Sequence, residues 1–454
     1  THTEREMGRE ELGWQQPVMV FVPFPARGHV TPMLHLAAAF HRLGFRPLVV
    51  LPDSIYRRLR PSDQKRGRLI LHEDEECRGR GVVLASIPDG VGEDATGDLL
   101  AMERAMEEVM PEHLEGLLRR VVLGGGGRVV VACVVVDLLA SWAMEVAVRC
   151  RVPVAGFWPA MLATYRVISA SPDLVRHGLL SPSGIPIGEA TISDDLPRCM
   201  PDLSTEDLPW LVGDLASQRA RFAFWQRTLD RSRALRWLIA NTFSDEDCLL
   251  GGTDAGHDHN HTSHLCMPPP PRVFPVGPLS WKAAARGGGH GDSCLSLWEE
   301  DGSCMRWLDS QPSGSVVYVS FGSWVAPIGD GSVAELALGL EAAGRPFLWV
   351  LGDSCRSGLP DGFQDRVAGR GKVVGWAPQR EVLRHQAVGC FLTHCGWNST
   401  MEAVECRRRL LCHPVAGDQF INCRYIVEVW GVGLRLGGLR QQAVEEGVGR
   451  VMGA

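Results

Sequence analysis

A strand-to-helix turn near residue 395 gathers side chains of the kinds that bind phosphate and sugar. The stretch that starts at Trp376 is WAPQREVLRHQAVGCFLTHCGWNSTMEAVE. Its pattern predicts a short apolar strand, VGCFLTH, then a tight turn, CG, and a helix that opens at WNSTMEAVE. The first turn of a helix presents N–H groups and the positive end of the helix dipole, which favour an anion such as a diphosphate. Further hydrogen-bond donors at this place would be His394, Asn398 and Ser399.

Three side chains of this stretch have both a structural and a functional interpretation. Ser399 and Glu402 stand in the S-x-x-E spacing of a capping box, so they could simply cap the helix. Glu402 also lies four residues after Asn398, hence on the same helical face, just beyond the predicted phosphate site. There its carboxylate would accept hydrogen bonds from vicinal ribose hydroxyls, each contributing about 1.5–3 kcal/mol. Trp376, after the apolar KVVG, fits either the core or a base stacked flat on its ring.

A histidine and an aspartate follow two other predicted strands. His29 lies in FPFPARGHVTPM, where the first strand turns into a helix, and Asp137 closes the apolar strand VVVACVVVD. Ligands of open parallel sheets bind outside the carboxyl ends of the strands. A histidine held by a carboxylate at such a place can act as a general base near pH 7. Taken alone, however, His29 also fits a structural role, and Asp137 fits the N-cap of the helix LLASWAMEVA.

Two clusters raise the question of a metal ion. Asp245 and Asp247 form a D-x-D in NTFSDEDCLL, and the following stretch contains four histidines, His257, His259, His261 and His264. The D-x-D follows a predicted strand end and precedes apolar residues, which favours an acidic helix N-terminus. The histidines lack matching carboxylate or cysteine ligands, which favours a solvated loop. The sequence therefore predicts no metal site.

Two segments of the chain, residues 18–51 and 316–351, repeat one pattern. Each runs from an apolar strand through a Gly-containing loop and an Ala/Leu-rich helix to a second apolar strand. This is the opening of a parallel α/β unit, so we expect two Rossmann-like domains in tandem. Residues 251–280 are rich in Gly, His and Pro, which is typical of a linker. We therefore expect domains at 14–275 and 276–454.

Length and composition exclude several classes of protein. A chain of 454 residues, 45% hydrophobic and 22% charged, is globular and long enough for two domains. Its net charge of −7 offers no basic surface for nucleic acid. The longest strongly apolar run, Val129 to Val136, is far below the roughly 20 residues that span a bilayer. The polar start and the 14 scattered cysteines indicate a cytoplasmic protein with reduced thiols, which we expect to be a monomer.

These motifs resemble those of one known family. Residues 376–419, from WAPQ to the final AGDQ, resemble the signature box of the plant UDP-dependent glycosyltransferases of family 1. GHVTPMLHLA near the start, VFPVGPL in the middle and SVVYVSFGS extend the resemblance through most of the chain. It implies an α/β fold of the GT-B type, with two Rossmann-like parallel-sheet domains facing a central cleft. The N-terminal domain would bind the acceptor and the C-terminal domain the UDP-sugar.

The resemblance also implies a role for each residue of the donor site. From the uracil to the sugar end the implied set is Trp376, Ala377 and Gln379 at uracil and ribose, Glu402 at the ribose hydroxyls, His394, the Trp397 backbone, Asn398 and Ser399 at the diphosphate, Ser323 facing the nucleotide, and Asp418 and Gln419 at the sugar hydroxyls. A glutamine at the last position resembles the members that use glucose. His29 and Asp137 match the base of the family and its partner.

These assignments predict an inverting UDP-glycosyltransferase. Glucose would pass from UDP-glucose to a hydroxyl of a small apolar plant metabolite, a phenolic or flavonoid or a terpenoid, bound among residues 87–98, 157–167 and 209–226. No cofactor beyond the donor substrate is expected, and no metal is needed if the helix N-terminus and His394 neutralise the departing diphosphate. A non-catalytic nucleotide-sugar-binding protein is the alternative. A nicotinamide-dependent oxidoreductase would need G-x-G-x-x-G, which PFPARGHV does not provide.

The chain departs from the family pattern at three places. Residues 407–409 are all arginine where the box usually has Gly-Val-Pro, so an arginine replaces an expected left-handed glycine at a cost of about 1 kcal/mol. Pro159 stands where the family often has a hydroxyl residue near the 6-hydroxyl of the sugar, and Thr164 could supply that contact instead. Relatives continue beyond VEEGVGRVMGA into a helix that crosses back onto the first domain.

Overall fold

A computed structural model describes most of the chain. The described residues are 16–59, 81–91, 99–124, 130–197, 200–243, 271–279, 303–322 and 329–453. Several features discussed above lie outside these ranges, namely Ser323, the D-x-D of Asp245 and Asp247, and the histidines His257, His259, His261 and His264. Their assignments stay predictions.

Seven parallel strands form the N-terminal sheet, in the order β3-β2-β1-β4-β5-β6-β7. The chain moves outward on one side from β1 and on the other from β4, so the switch point of the topology lies between these two strands. The bounds are β1 Val18–Val22, β2 Arg46–Pro52, β3 Val83–Ile87, β4 Val131–Asp137, β5 Val154–Trp158, β6 Trp237–Ala240 and β7 Arg272–Pro275.

Helices follow most strands of this sheet. A π-helical turn, Ala105–Val109, joins α3 to α4. None of the helices within the described residues is long and apolar enough to cross a lipid bilayer. In this part of the chain the helices are α1 Arg27–Arg42, α2 Asp53–Leu59, α3 Leu99–Arg104, α4 Met110–Gly124, α5 Trp142–Arg149, α6 Leu162–Arg176 and α7 Leu215–Ser232.

Six parallel strands form the C-terminal sheet, in the order β10-β9-β8-β11-β12-β13, with its switch point between β8 and β11. The strands are β8 Val316–Ser320, β9 Phe347–Val350, β10 Gly371–Val374, β11 Val388–Thr393, β12 Arg409–Cys412 and β13 Gly433–Arg435. The helices are α8 Ser303–Asp309, α9 Asp330–Ala342, α10 Phe363–Val367, α11 Gln379–Arg384, α12 Trp397–Glu405, α13 Gln419–Arg424 and α14 Gln441–Met452.

The repeated segments of the sequence form the same unit in both sheets. β1, α1 and β2 make the first strand–helix–strand unit, and β8, α9 and β9 make the second. β1 and β8 are buried along their whole length. A parallel strand that is covered on both faces is an unbroken apolar run, as both of these strands are. The predicted class, an α/β protein with two Rossmann-like parallel sheets, is confirmed.

The C-terminal sheet has a hydrophobic cluster on each face, and β8 contributes side chains to both clusters. Val317 and Val319 belong to one cluster, which also contains side chains of α9 and α14. Val316 and Tyr318 belong to the other, which contains side chains of α8, α11 and α12. Successive side chains of a strand point to opposite faces, so each alternate residue joins the other cluster.

The chain divides by contact into two compact units. One consists of residues 1–159 and 226–294, and the other of residues 160–225 and 295–454. The second unit thus combines the C-terminal sheet with α6 and most of α7. Within it, the guanidinium of Arg424 lies 3.5 Å from the carboxylate of Asp207; the aspartate is buried and the arginine is half-buried. The sequence contains no local signal for this grouping, because it depends on contacts between distant segments.

Candidate active site

A histidine and a carboxylate meet at the switch point of the N-terminal sheet. His29 lies in the first turn of α1, just after β1, and Asp137 is the last residue of β4. Nδ1 of His29 and Oδ2 of Asp137 are 2.8 Å apart, and the two side chains are 21% and 0% exposed. The fold therefore joins two residues that are 108 positions apart in the sequence.

Asp137 fits both of its sequence interpretations at once. While Oδ2 contacts His29, Oδ1 accepts a hydrogen bond of 3.0 Å from the backbone N–H of Leu139, at the start of a short 3₁₀ helix. The ring of Phe24 packs edge-on against the imidazole, with centroids 5.1 Å apart. With the Nδ1 proton donated to the carboxylate, Nε2 remains as the basic nitrogen. This is the arrangement of a general base with an orienting carboxylate.

A helix N-terminus occupies the switch point of the C-terminal sheet. Residues 394–396 form the turn between β11 and α12. Gly396 is the N-cap residue of α12, and as a glycine it has no side chain that could cap the helix. The turn therefore has the form of the anion-binding element that the sequence predicts. Asn398 lies in the first turn of α12 and is half-buried.

The capping-box interpretation of Ser399 and Glu402 is wrong. The side chains of these residues contact Gln379, the first residue of α11, rather than the backbone at the start of α12. Nε2 of Gln379 donates to Oε2 of Glu402 at 2.8 Å and to Oγ of Ser399 at 3.0 Å. Both side chains are thereby held on the face of α12 that meets α11.

Tyr318 completes this network, and the sequence analysis did not single it out. Its hydroxyl donates to Oε1 of Gln379 at 3.3 Å, so the amide of Gln379 is fixed at both ends. Burial raises the pKa of Tyr318, which keeps the hydroxyl protonated as a donor. A tyrosine inside the otherwise apolar strand VVYVS was the available signal, because a buried phenol requires a polar partner. Burial also raises the pKa of Glu402, and the hydrogen bond from Gln379 opposes that increase.

His394 is buried in a slot that two glycines make. A Cβ at Gly396 would lie 2.3 Å from Nε2 of His394, and a Cβ at Gly322 would lie 2.8 Å from the same atom. Burial lowers the pKa of His394 to about 4, while a contact with the Ser320 backbone opposes the decrease. The imidazole is therefore neutral at pH 7 in the absence of a ligand. It can contribute a hydrogen bond to a diphosphate rather than the positive charge expected from the sequence.

The aromatic and apolar residues of the box differ in what they expose. Trp376 is half-buried in the turn before α11, whereas Ala377 is buried in the core below it. The side chain of Ala377 is therefore not available to a ligand. The Trp397 side chain is also buried, and the centroid of its ring lies 6.4 Å from that of Trp430.

Gln419 lies at the start of α13, directly after the N-cap residue Asp418, and its hydrogen bonds limit how it can contact a sugar. Oε1 of Gln419 accepts from the backbone N–H groups of Val415 and Ala416 at 2.8 and 3.0 Å. Its oxygen is therefore engaged, and its NH₂ group is the end that can donate to a sugar.

Asn422 links the two parts of the predicted donor site, although the sequence analysis did not identify it. Nδ2 of this buried residue donates to the backbone oxygen of Cys395 and to Oδ2 of Asp418, both at 2.9 Å. The turn before α12 and the start of α13 are thus joined through one side chain. The spacing of Asn422 four residues after Asp418 was a signal that went unused.

The three arginines that replace Gly-Val-Pro have distinct structural roles. Arg407 has a φ of 55°, so the expected left-handed conformation is present without the glycine. The guanidinium of Arg408 donates to the backbone oxygens of Leu383, Val388, Arg384 and His385. Arg409 donates to the oxygen of Val451 near the end of α14. Arg408 thus satisfies carbonyl groups at the carboxyl end of α11, the helix that Gln379 begins.

The contact proposed for Thr164 has a partial structural basis. Thr164 lies in the first turn of α6 and is buried. Its hydroxyl has no hydrogen-bond partner among the described residues. An unsatisfied buried hydroxyl is costly, but this oxygen is closed off from solvent, so a sugar hydroxyl would reach it only after a local rearrangement.

Fold and site together define a class of enzyme. Each parallel sheet carries polar side chains at its switch point, a His–Asp pair in one and a helix N-terminus with a carboxylate network in the other. This combination is that of a glycosyltransferase of the GT-B type.

Comparisons with known proteins give the family. The profile of the family "UDP-glucoronosyl and UDP-glucosyl transferase" matches residues 294–453. UDP-glycosyltransferase 82A1 of Arabidopsis thaliana is 47% identical over 449 residues, which are 96% of this chain and 91% of that protein. DIMBOA UDP-glucosyltransferase BX8 of Zea mays is 35% identical over 447 residues, which are 96% and 89% of the two chains.

Solved structures agree with this result. Os79 from O. sativa, in complex with UDP, matches with a TM-score of 0.72 at 26% identity, over 96% of this chain and 91% of that chain. UGT2 from Phytolacca americana, complexed with UDP-2fluoro-glucose and pterostilbene, matches with a TM-score of 0.70 at 25% identity, over 96% and 90%. The chain belongs to the plant UDP-glycosyltransferases and uses a UDP-sugar as its donor substrate.

Proposed function

We propose that the protein is an inverting glucosyltransferase that moves glucose from UDP-glucose to a hydroxyl of a small apolar plant metabolite. The observation that carries this proposal is the 2.8 Å contact between Nδ1 of His29 and Oδ2 of Asp137. A protein that only bound nucleotide sugars would have no need for a partly exposed histidine oriented by a buried carboxylate.

The proposed step uses His29 as a general base. Nε2 takes the proton of the acceptor hydroxyl while the acceptor oxygen forms a bond to the anomeric carbon of glucose. The bond from that carbon to the diphosphate oxygen breaks on the opposite face, and its electron pair leaves with UDP. The anomeric configuration inverts, and no covalent enzyme intermediate is formed. Asp137 stabilises the imidazolium that results.

For the donor, we propose the roles implied by the family resemblance. Trp376 stacks on uracil, Ala377 contacts it through its backbone, and Glu402 accepts from the ribose hydroxyls, with Gln379 beside it. The N-terminus of α12 favours a diphosphate at this place, because its N-cap residue, Gly396, has no side chain to occupy the first N–H groups. The diphosphate would be held without a metal ion by the Trp397 backbone, Asn398 and Ser399 in the first turn, together with the buried imidazole of His394. Ser323 would face the nucleotide as well.

For the domains, we propose that residues 14–275 bind the acceptor and residues 276–454 bind the donor. The described cysteines are all free thiols, which supports a reducing compartment such as the cytoplasm. The names of similar proteins support a small-molecule acceptor, because that of the Zea mays relative contains DIMBOA and that of the Phytolacca americana structure contains pterostilbene. A monomeric state stays a prediction.

Replacing the two members of the pair tests the catalytic part of the proposal. We expect His29→Ala to lose transfer by roughly 10²–10⁴-fold while it keeps UDP affinity, because the base acts on the acceptor. Asp137→Asn should also lower kcat, and it keeps an oxygen to cap the 3₁₀ helix. The assay would use UDP-glucose with a panel of acceptor alcohols and phenols, read by mass spectrometry.

The matched control is His41→Ala, which removes a histidine from the other end of α1. It should keep both turnover and UDP affinity. Near-normal turnover of His29→Ala with an acceptor of low acidity would remove the proposed mechanism. Tight UDP binding by the unmodified protein without turnover of any acceptor would favour the non-catalytic alternative.

The choice of sugar is a separate prediction. With its oxygen held by two backbone N–H groups, Gln419 can offer only its NH₂ group to the sugar hydroxyls. An unpaired buried polar group costs about 1–3 kcal/mol, which gives a roughly 10- to 100-fold preference for the epimer that pairs correctly. We expect UDP-glucose to be preferred over UDP-galactose in direct competition, and Gln419→Ala to lose transfer far more than UDP affinity. More efficient use of UDP-galactose or UDP-xylose by the unmodified enzyme would contradict the assignment.

A further inference from the structure

Three buried thiols meet in the core of the C-terminal unit. The Sγ atoms of Cys395, Cys412 and Cys423 all lie within 4.8 Å of one another. The three side chains are 0%, 0% and 1% exposed, and none forms a disulfide. Among the described residues, this is the only group of three metal-ligating side chains so close together. The proposed transfer reaction does not use it.

The spacing of the cysteines in the sequence gave no indication of this cluster. Cys395 lies in the turn between β11 and α12 and has a φ of 65°, in the left-handed region. Cys412 is the last residue of β12, and Cys423 lies in α13. Three separate elements therefore supply one sulfur each. A site of this kind depends on tertiary structure and has no short motif.

The charges around the cluster favour a thiolate. The thiols of Cys395 and Cys412 lower the pKa of Cys423 by hydrogen bonding, and the guanidinium groups of Arg435 and Arg424 lower it further. Burial raises the pKa of Cys395.

We propose that Cys395, Cys412 and Cys423 form a three-sulfur site for one soft, thiophilic divalent cation. Binding would form three metal–sulfur bonds, and each sulfur that still carries a proton would release it to solvent. Three sulfurs at about 2.3 Å from a central ion lie roughly 4 Å apart, so the cluster needs only a small contraction. Thiolate ligands select soft cations, and the absence of a fourth ligand among the described residues disfavours a closed structural zinc site.

Cadmium is the probe for this class of ion. The reduced full-length chain would be titrated with Cd²⁺ against a competing chelator, and the sulfur-to-cadmium charge-transfer absorption would be followed in the ultraviolet. We expect a single ion per chain, with three sulfur neighbours in X-ray absorption. Cys423→Ala should lose this tight ion. Cys304→Ala, which removes another buried thiol of the same hydrophobic cluster, should keep it.

Several outcomes would overturn the proposal. In one, the unmodified chain binds no Cd²⁺ ion tightly; in another, the bound ion has fewer than three sulfur neighbours. In a third, Cys423→Ala and Cys304→Ala lose Cd²⁺ affinity to the same extent. A disulfide between two of the three cysteines, with no ion taken up after reduction, would also overturn it and would indicate a redox role instead. If Cys423→Ala does not fold, the sulfur count of the unmodified protein decides. None of these readouts requires transfer activity, so they are independent of the proposed function.

Discussion

Glu402 carries a charge that the folded chain tolerates poorly. Burial is the largest influence on its pKa and raises it, the hydrogen bond from Gln379 and the charges of Arg380 and Arg384 lower it, and Glu405 raises it again. Because the folded-state pKa lies above the ordinary value, the folded state binds the proton more readily than the unfolded state. The free energy of unfolding therefore falls as the pH rises from the ordinary pKa of a glutamate to the raised pKa, and the loss is complete above the raised pKa.

A pH dependence of UDP binding follows if Glu402 accepts from the ribose. Ribose hydroxyls stabilise the ionised carboxylate, so UDP binding releases a proton when the pH lies below the raised pKa. We expect UDP affinity to fall as the pH falls from neutral through that pKa. Glu402→Gln should bind UDP roughly 10- to 100-fold more weakly at neutral pH, since charge-assisted hydrogen bonds contribute about 1.5–3 kcal/mol each.

Calorimetric titration of UDP at several pH values would measure this effect. In Glu402→Gln the corresponding part of the pH dependence should disappear, while the free energy of unfolding stays the same or increases. Equal pH profiles for the variant and the unmodified protein would show that another group is responsible.

Residue types and spacing identified much of the candidate site but few of the residues that orient its side chains. Glu402, His394 and Gln419 have side chains that suit sugar and phosphate. His394 and Glu402 flank one turn, and Gln419 ends the same signature box. The partners that orient them come from other elements, as Tyr318 and Asn422 do. Such contacts have no sequence period, so the sequence could not predict them. The same limit explains the error about the capping box, since the partner of Ser399 lies 20 residues upstream.

At the scale of elements, α11 depends on an arginine from outside the helix. The last carbonyl groups of a helix have no partners within it. Arg408 supplies hydrogen-bond donors to four carbonyl groups at the end of α11 and just beyond it. A cation at this end also interacts favourably with the helix dipole. The departure from Gly-Val-Pro at 407–409 therefore brings a stabilising contact along with the cost of a left-handed arginine.

Removal of this guanidinium should weaken both the fold and the donor site. We expect Arg408→Met to lower the free energy of unfolding by about 1–3 kcal/mol, because hydrogen bonds from a charged donor are lost. The KM for the UDP-sugar should rise, since α11 begins with Gln379. Thermal denaturation and donor kinetics would measure the two effects.

Arg407→Met is the matched control, because this exposed side chain precedes the one that binds the carbonyl groups. Its effect on stability should stay within about 0.5 kcal/mol, as for most surface substitutions. Equal melting temperatures for Arg408→Met and the unmodified protein would show that water replaces the guanidinium at no cost.

At the scale of the whole molecule, the repeated strand–helix–strand pattern was sufficient to predict two parallel sheets. Buried parallel strands are continuous apolar runs, and this pattern identifies β1 and β8 in the sequence. Contacts between segments far apart in the sequence could not be predicted. Residues 160–225 pack with the C-terminal sheet, and three widely separated cysteines converge below it. Neither follows from local preference, because both depend on how distant segments pack.

The slot around His394 constrains how this part of the chain can evolve. Gly396 has a φ of −61° and a ψ of 143°, which any residue can adopt, so only the imidazole beside it excludes a larger side chain. Gly322, with a φ of 75°, is required for its conformation as well. Alanine at position 396 therefore requires that the imidazole of His394 moves away from its present position or that a smaller residue replaces it. In descendants of this chain, substitutions at positions 394 and 396 should therefore be correlated.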